Sequence, residues 1–151
     1  MKFSTRTRYG LRLLTYLAAE YDQNVPIRLR EIATSEGISA KYLEQIIIIL
    51  KRHKMLNITR GVKGGYRLAL HPGKVNLFTV FTALEGGIEP VLCVREEKDC
   101  LRKSVCAINE MWRDLHHTIK TFLQNKTLLD LADAFKKKEP IYKDFIKSKE
   151  K

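Results

Sequence analysis

Three cysteines lie within a short stretch of this chain, and the sequence contains no others. Cys93, Cys100 and Cys106 follow the spacing Cys-x6-Cys-x5-Cys. Thiolates are soft ligands that suit zinc, copper(I) or iron–sulfur clusters. A single zinc ion usually takes pairs of cysteines two to four residues apart, so the wider spacing here favours a cluster. The alternatives are inert buried thiols, or a redox switch of two cysteines with the third unused.

The cysteine count and the composition limit the class of protein. An odd number of cysteines argues against a disulfide framework. The N-terminus has no apolar stretch long enough for a signal peptide, and the longest apolar run, residues 46–50, is far too short to span a membrane. We therefore expect a cytoplasmic protein. With 44% hydrophobic and 30% charged residues, the chain has the composition of a folded domain.

Positive charge is concentrated in the N-terminal half. Residues 1–72 carry 13 Lys and Arg against 5 Asp and Glu, whereas residues 73–151 carry 15 against 12. A net charge of +8 on one module is the electrostatic pattern expected of a protein that binds a polyanion, although many basic proteins bind none.

The N-terminal half has the sequence pattern of a helix-turn-helix. A first helix is expected from Ser4 or Thr5 to about residue 20, and a short one ends at Gly37. Ser39 is a good cap for a second helix that runs to about residue 54, with a buried face at i, i+3, i+4 and i+7. Its run of four isoleucines could instead be a buried strand. The polar end of this helix is expected to approach the major groove through Ser39, Ala40, Lys41, Tyr42 and Gln45.

A glycine-rich hairpin follows directly. Two β-type segments, residues 56–60 and 66–70, flank the tip formed by residues 61–65. Because Arg60, Lys63 and Arg67 surround the tip with cations, we interpret it as the wing of a winged helix, with Arg60 and Lys63 contacting DNA. The alternative is a plain surface hairpin.

The C-terminal half is expected to form helices around a cysteine-bearing loop. Asn76 can cap a short helix, residues 86–104 are loop-like, and Ser104 can cap a long helix over residues 105–123. The apolar residues of that helix form a seam that suits a homodimer interface better than a private core. A short helix is expected over residues 128–135, followed by a frayed or disordered tail rich in lysine. The predicted fold class is therefore mostly α with a small β-wing, and the predicted organisation is a winged helix-turn-helix module (1–75), a cysteine loop with dimerisation helices (76–135) and a basic tail (136–151).

Several strings of residues resemble the IscR/NsrR/RirA-type family of winged-helix regulators, also called the Rrf-two family. The strings are residues 2–17, the Ile38-Ser39-x-x-Tyr42-Leu43-Glu44-Gln45 segment, the wing Arg60-Gly61-x-x-Gly64-Gly65-Tyr66, the three-cysteine loop and Trp112-Arg113-Asp114-Leu115. The resemblance covers residues 1 to about 135. It implies a homodimeric transcription regulator whose three loop cysteines hold a [2Fe–2S] or [4Fe–4S] cluster that controls DNA affinity.

The fourth ligand of such a cluster does not carry over. IscR-like members use a histidine three residues after the last cysteine, where this chain has Asn109. NsrR-like members can use an aspartate of the partner's first helix, where this chain has Arg8. RirA-like members lack the histidine and are the most similar. The remaining candidates are Glu110, His116, His117, an external thiol or water.

No catalytic constellation is present in the sequence, and we expect neither an enzyme nor a small-molecule substrate. The expected function is a dimeric regulator that binds double-stranded DNA and responds to iron, oxygen or nitric oxide through an iron–sulfur cluster. One alternative is a cluster-free member of the same family that senses thiol oxidation or a protein partner. Another is a zinc-binding adaptor for protein contact, which the charge and the cysteine spacing disfavour.

Overall fold

The computed structural model describes residues 2–95 and 105–149. Seven α-helices, two β-strands and two short 3-10 turns make up this part of the chain. In chain order they are α1 (Thr5–Ala19), a 3-10 turn (Tyr21–Gln23), α2 (Leu29–Glu36), α3 (Ala40–Arg52), β1 (Leu56–Thr59), β2 (Gly65–Leu68), a second 3-10 turn (Pro72–Lys74), α4 (Leu77–Glu85), α5 (Leu92–Arg95), α6 (Ala107–Gln124) and α7 (Leu128–Lys149).

Polar side chains begin the helices that the sequence predicted. Ser4 caps α1 by accepting a hydrogen bond from the Thr7 amide at 3.2 Å, and Asn76 caps α4 by accepting from the Thr79 amide at 3.0 Å. Gly37 ends α2 with a positive φ of 61°, a conformation that glycine adopts without strain. The predicted boundaries of these helices are confirmed.

The run of four isoleucines is helical, so the alternative of a buried strand is wrong. Ile46 and Ile47 are buried, whereas Ile48 is 58% exposed. A buried strand would alternate its faces or bury the whole run, but this pattern follows the 3.6-residue turn of a helix.

The wing is a two-stranded antiparallel sheet extended by a bridge to a third segment. Leu56 pairs with Leu68 and Thr59 with Gly65. On the other side of β2, the Ile27 amide donates to the Tyr66 carbonyl at 3.0 Å, and the Tyr66 amide donates back at 2.8 Å. The segment before α2 therefore anchors the wing to the helix-turn-helix.

Helix α1 crosses the middle of the molecule and contacts α3, α4 and α7. Its Gly10 lies against α4 so closely that an added Cβ would be 2.6 Å from Leu84 Cδ1. At the start of the helix, the Ser4 amide and hydroxyl donate to Glu85 Oε1 at 2.8 and 2.9 Å. One apolar core thus joins the N-terminal helices to the C-terminal ones.

The turn between α6 and α7 is hydrogen-bonded to the start of α4. The Leu77 amide donates to the Lys126 carbonyl at 2.8 Å, and the Leu128 amide donates to the Val75 carbonyl at 3.0 Å. These two bonds fix the C-terminal helices to the helix-turn-helix module beside the point where α4 begins.

Three expectations for the C-terminal half need correction. The short helix α5 lies inside the segment expected to be a loop. Helix α6 begins at Ala107 with Cys106 as its cap, whereas the expected cap Ser104 is outside the described residues. Helix α7 does not stop at residue 135 but continues through Pro140 to Lys149. Lysine and glutamate favour helices, so a lysine-rich segment can extend a helix as readily as it can fray.

Over the described ranges, the helices are too short or too polar to cross a membrane.

Candidate nucleic-acid interface and cysteine centre

The N-terminal end of α3 presents most of the residues that the sequence assigned to the major groove. Ser39, Ala40, Lys41 and Gln45 are exposed. The Ser39 hydroxyl accepts from the Tyr42 amide at 3.3 Å and begins the helix. Hydrogen-bonding groups, a cation and free backbone amides therefore lie together at one helix end, which suits contact with phosphates and base edges.

Tyr42 is the exception, because its ring is half-buried and packs on α1. The Tyr42 and Tyr9 rings meet edge to face, with centroids 5.7 Å apart. The guanidinium groups of Arg8 and Arg12 lie 5.6 and 5.8 Å from the centroid of the Tyr9 ring. The structure thus places two cations of α1 next to the contact between Tyr9 and Tyr42, where the sequence did not predict them. Their positions four residues apart around Tyr9 on one helix could have indicated this cluster.

Arg12 also forms an ion pair with the last residue of α2. Its Nε donates to Glu36 Oε2 at 2.8 Å, and its Nη2 donates to the Glu36 backbone carbonyl. Burial raises the pKa of Glu36 above its ordinary value, while the hydrogen bond and the charge of Arg12 act in the opposite direction. The pair holds α1 against the turn that leads into α3.

The wing presents Arg60 and Lys63 as exposed cations, as the sequence predicted. Arg67 differs, because it is half-buried and donates to Asn24 Oδ1. A cation missed in the sequence takes part instead: Arg28 Nη2 donates to the Val62 carbonyl at 2.8 Å. This contact joins the start of α2 to the wing tip.

Gly65 is required by the close approach of two backbones. A Cβ added there would overlap the carbonyl oxygen of Ile27, the residue that bridges to β2. Gly64 is similarly confined, by the carbonyls of Thr59 and Gly61. Gly61 has a φ of 101° but open space around it. Glycine is therefore favoured by backbone contact at positions 64 and 65 and by a positive φ at position 61.

Two of the three cysteines lie in the described part of the chain. Cys93 is half-buried on α5, and Cys106 is half-buried at the cap position of α6. Cys100 lies outside the described residues. Their donor type suits a soft metal or a cluster.

Cys93 and Cys106 lie at different points along α6. Cys93 borders a cleft that is also lined by Arg113, Asp114, His116, His117 and Lys120 of that helix, whereas Cys106 is the cap residue at its start. In the described ranges, no three side chains of His, Cys, Asp or Glu are grouped so that they could hold a metal ion. These ranges contain two of the three cysteines, so they do not include the complete set of thiol ligands that the sequence predicts.

The candidates for a fourth ligand lie in different surroundings. Asn109 is only 5% exposed, and its Nδ2 has no hydrogen-bond partner among the described residues. Glu110 is exposed on the first turn of α6. His116 and His117 both border the cleft next to Cys93. The two histidines therefore lie next to Cys93, whereas Asn109 and Glu110 lie within one turn of Cys106.

The apolar seam of α6 divides between two surfaces. Leu123 is buried and Ile119 packs against the core, so these two residues belong to the protomer. Four others remain exposed on the helix: Ile108, Met111, Leu115 and Phe122. Half of the predicted seam therefore presents an apolar surface that this protomer leaves uncovered.

Comparison with known proteins gives consistent matches. Residues 3–134 match the family model Rrf2, described as iron-dependent transcriptional regulator. The protein rrf2 of Nitratidesulfovibrio vulgaris is 36% identical over 131 residues, which is 87% of each chain. The structure of CymR, the global cysteine regulator of B. subtilis, has a TM-score of 0.74 at 31% identity and covers 89% of this chain and 98% of that one. A T. potens IscR structure has a TM-score of 0.71 at 28% identity, over 89% and 88%.

Proposed function

Because the chain belongs to the Rrf2 family of transcriptional regulators, we propose that it works as a homodimer that binds a specific site in double-stranded DNA. The family members it matches are regulators of transcription, and the chain is not an enzyme. The observation that carries the proposal is that the N-terminal end of α3 is exposed and that the wing of the same module presents the exposed cations Arg60 and Lys63.

The proposed contacts divide between recognition and positioning. The N-terminal part of α3 would enter the major groove with Ser39, Ala40, Lys41 and Gln45. Tyr42 of the same helix would hold it in place by packing on Tyr9 of α1. Arg60 and Lys63 would bind phosphates or the minor groove from the wing. The Arg28 bond to the Val62 carbonyl supports this assignment, because it fixes the wing tip to the start of α2 within the helix-turn-helix.

The wing contacts can be tested through their salt dependence. Removing two phosphate contacts with Arg60→Ala and Lys63→Ala should weaken operator binding and lower the log–log salt slope by about 2. Lys126→Ala is the matched control, because Lys126 is an exposed lysine at the turn before α7. Fluorescence anisotropy at several salt concentrations measures both quantities. An unchanged slope in the double variant would contradict the wing assignment.

The proposed dimer rests on the uncovered apolar surface of α6. Phe122 is 63% exposed and Ile108 is 61% exposed. A second copy packed across this surface would remove apolar area from water, and a two-fold pair of winged helices reads half-sites about one or two helical turns apart.

The dimer is tested by placing charge on that surface. Leu115→Glu with Phe122→Glu should give monomers in analytical ultracentrifugation, because burying two carboxylates without partners opposes association. Thr118→Glu is the control, because it places the same charge on an exposed polar position of the same helix. A double variant that stays dimeric at the concentrations where the wild type is dimeric would refute this interface.

We further propose that Cys93, Cys100 and Cys106 hold an iron–sulfur cluster that controls DNA affinity. The support is the thiolate chemistry, the resemblance of the cysteine loop, and the description of the matched family as iron-dependent. A bound cluster would supply sensitivity to iron, oxygen or nitric oxide.

The cluster is tested on protein purified without air. Its visible absorption, iron content and sulfide content should all be lost when any one cysteine is changed to alanine. Asn109→Ala should retain them, because an amide is a poor ligand for iron. A triple cysteine variant that still carries stoichiometric iron and sulfide would refute the proposed ligands, and stoichiometric zinc in the wild type would instead favour the adaptor alternative.

A cluster-free regulator that senses thiol oxidation is the second candidate. The observation that motivates it is the likeness to CymR, described as the global cysteine regulator of B. subtilis. It requires that anaerobically purified protein lack iron and that peroxide change operator affinity in a way that dithiothreitol reverses. A cysteine-free variant that responds equally would exclude this mechanism.

A further inference from the structure

Helix α3 exposes an isoleucine in its second half. Ile48 is more than half exposed, whereas Ile46, Ile47 and Leu50 on the opposite side of the helix are buried. Ile48 is also absent from the partly buried apolar residues that pack against the core. A single exposed isoleucine is ordinary on a protein surface, so its position on the helix decides what it can contact.

Ile48 lies in line with exposed polar residues of the same helix. Lys41, Gln45, Ile48 and Arg52 occupy positions i, i+4, i+7 and i+11, which fall on one narrow stripe of an α-helix. All four side chains are exposed. The stripe therefore extends the surface that begins at the N-terminal end of α3 along the whole helix, with a cation toward each end.

The two cations of the stripe are available to a partner. Within the described ranges, the side chains of Lys41 and Arg52 have no hydrogen bond or ion pair with another residue. At about 1.5 Å per residue they are roughly 16 Å apart along the helix axis, more than the major-groove width of about 12 Å. With α3 in the groove, the two cations can therefore approach phosphates on both sides while Ile48 faces the base edges between them.

The chemistry of the major groove offers one apolar group to such a side chain, the C5-methyl group of thymine. A β-branched residue in a helix has one strongly preferred χ1 rotamer, so Ile48 loses little conformational entropy on contact. An apolar protein surface suits the stripe less well, because it would bury Lys41 and Arg52 without counter-charges.

We propose that Ile48 contacts the C5-methyl group of a thymine in the major groove and that Arg52 binds a phosphate at the far end of the same stripe. This inference rests on the proposed DNA binding by α3 and adds the chemistry of one base that the site must contain. Gln45 lies three residues before Ile48, about 4.5 Å along the helix axis, and base pairs are about 3.4 Å apart. The thymine should therefore lie within about two base pairs of the base that Gln45 contacts.

The test uses a duplex site that the full-length protein selects from random sequence. Each thymine of one half-site is replaced in turn by uracil, which lacks only the C5-methyl group. One replacement should weaken binding by the wild type about fourfold, equivalent to about 0.8 kcal/mol for one buried methyl-sized group. In Ile48→Ala the same replacement should change affinity by less than about twofold. Uracil effects that are absent in the wild type, or that all persist in Ile48→Ala, would overturn the proposal.

Two controls separate this contact from other roles of the residue. Ile48→Ala should keep the fold, because Ile48 is exposed and alanine favours a helix, and circular dichroism checks this. Val25→Ala shortens an exposed apolar residue outside α3 and should retain the full uracil effect. Loss of the effect in Val25→Ala would contradict the assignment. A changed sedimentation coefficient of Ile48→Ala without DNA would assign Ile48 to a protein contact instead and would also overturn the proposal.

The phosphate contact has its own readout. Arg52→Gln should lower the log–log salt slope by about 1 and leave the uracil effect intact, whereas Lys126→Gln, at the turn before α7, should change neither. An unchanged slope in Arg52→Gln would refute the role of Arg52. A wild type that selects no site would refute the proposed DNA binding itself. A selected site without an uracil effect that depends on Ile48 would refute this inference alone.

Discussion

Arg12 and Glu36 join two helices of the DNA-reading module through a pair in which only one member is buried. Glu36 is 5% exposed and Arg12 is 41% exposed, with 2.8 Å between Nε and Oε2. The carboxylate ends α2, and Gly37 and Ile38 then lead to the cap of α3. The guanidinium also lies over Tyr9, which packs on Tyr42 of α3. Arg12 thus connects α1 to the end of α2 and, through Tyr9, to Tyr42 of α3.

Arg12→Ala should destabilise the protein by roughly 1–3 kcal/mol, because it leaves a buried carboxylate without its partner. The partial exposure of Arg12 argues for the lower part of that range. Arg8→Ala is the control, since Arg8 also lies over Tyr9 but is exposed, and its cost should stay within about 0.5 kcal/mol. Urea unfolding measures both variants, and equal costs would show that the ion pair contributes nothing.

The same pair predicts a pH dependence of stability. Because the pKa of Glu36 is raised in the folded protein, the folded state binds its proton more tightly than the unfolded chain does. The contribution of Glu36 is therefore complete below its ordinary value of 4.5 and is lost as the pH rises through the higher folded pKa. Relative to Glu36→Gln, the wild type should lose stability as the pH rises above this ordinary value.

Unfolding midpoints at several pH values test this sign. Glu31→Gln provides the comparison, because Glu31 is exposed on the same helix. Its difference from the wild type should be nearly constant with pH. A wild type that gains stability over Glu36→Gln on raising the pH would contradict the assigned direction.

Local signals made the helix-turn-helix predictable. Each of these helix ends depends on a residue that interacts with backbone groups only a few positions away, so the sequence alone indicates it. The residues are the caps Ser4, Ser39 and Asn76 and the terminating Gly37. The helical conformation of the four isoleucines is predicted correctly because Gly37 and the cap Ser39 precede them.

The contacts that the sequence missed are distant in the chain. Arg28 and Val62 are 34 residues apart, and Arg67 reaches Asn24 over 43 residues. No spacing rule pairs these residues, because the pairing depends on where the wing folds. The placement of Cys93 against the middle of α6 belongs to the same class, since it depends on how α5 packs.

Gly65→Ala should disrupt the wing far more than Gly61→Ala. At Gly65 the added Cβ meets the Ile27 backbone, so either the bridge to β2 or the strand pairing must give way. At Gly61 only the positive φ is unfavourable, which costs about 1–2 kcal/mol. Circular dichroism and operator binding of the two variants measure the difference. Equal effects would mean that the overlap of the added Cβ with the Ile27 backbone contributes little at Gly65.

Ser39→Ala should cost about 1 kcal/mol of stability through loss of the cap on α3, whereas Ser39→Gly should cost only a few tenths. The comparison separates capping from DNA contact, because neither variant keeps the hydroxyl. If both variants lose operator affinity to the same extent while differing in stability, the hydroxyl also contacts DNA. If affinity follows stability instead, Ser39 acts only by beginning the helix.

Gly10 lets α1 lie against α4 with almost no space between them, because an added Cβ would be 2.6 Å from Leu84 Cδ1. Helix α4 also packs against α6, and its first turn is bonded to the turn that begins α7. One helix therefore contacts both the N-terminal and the C-terminal helices, and a larger residue at position 10 would require the Leu84 side chain to move at that junction.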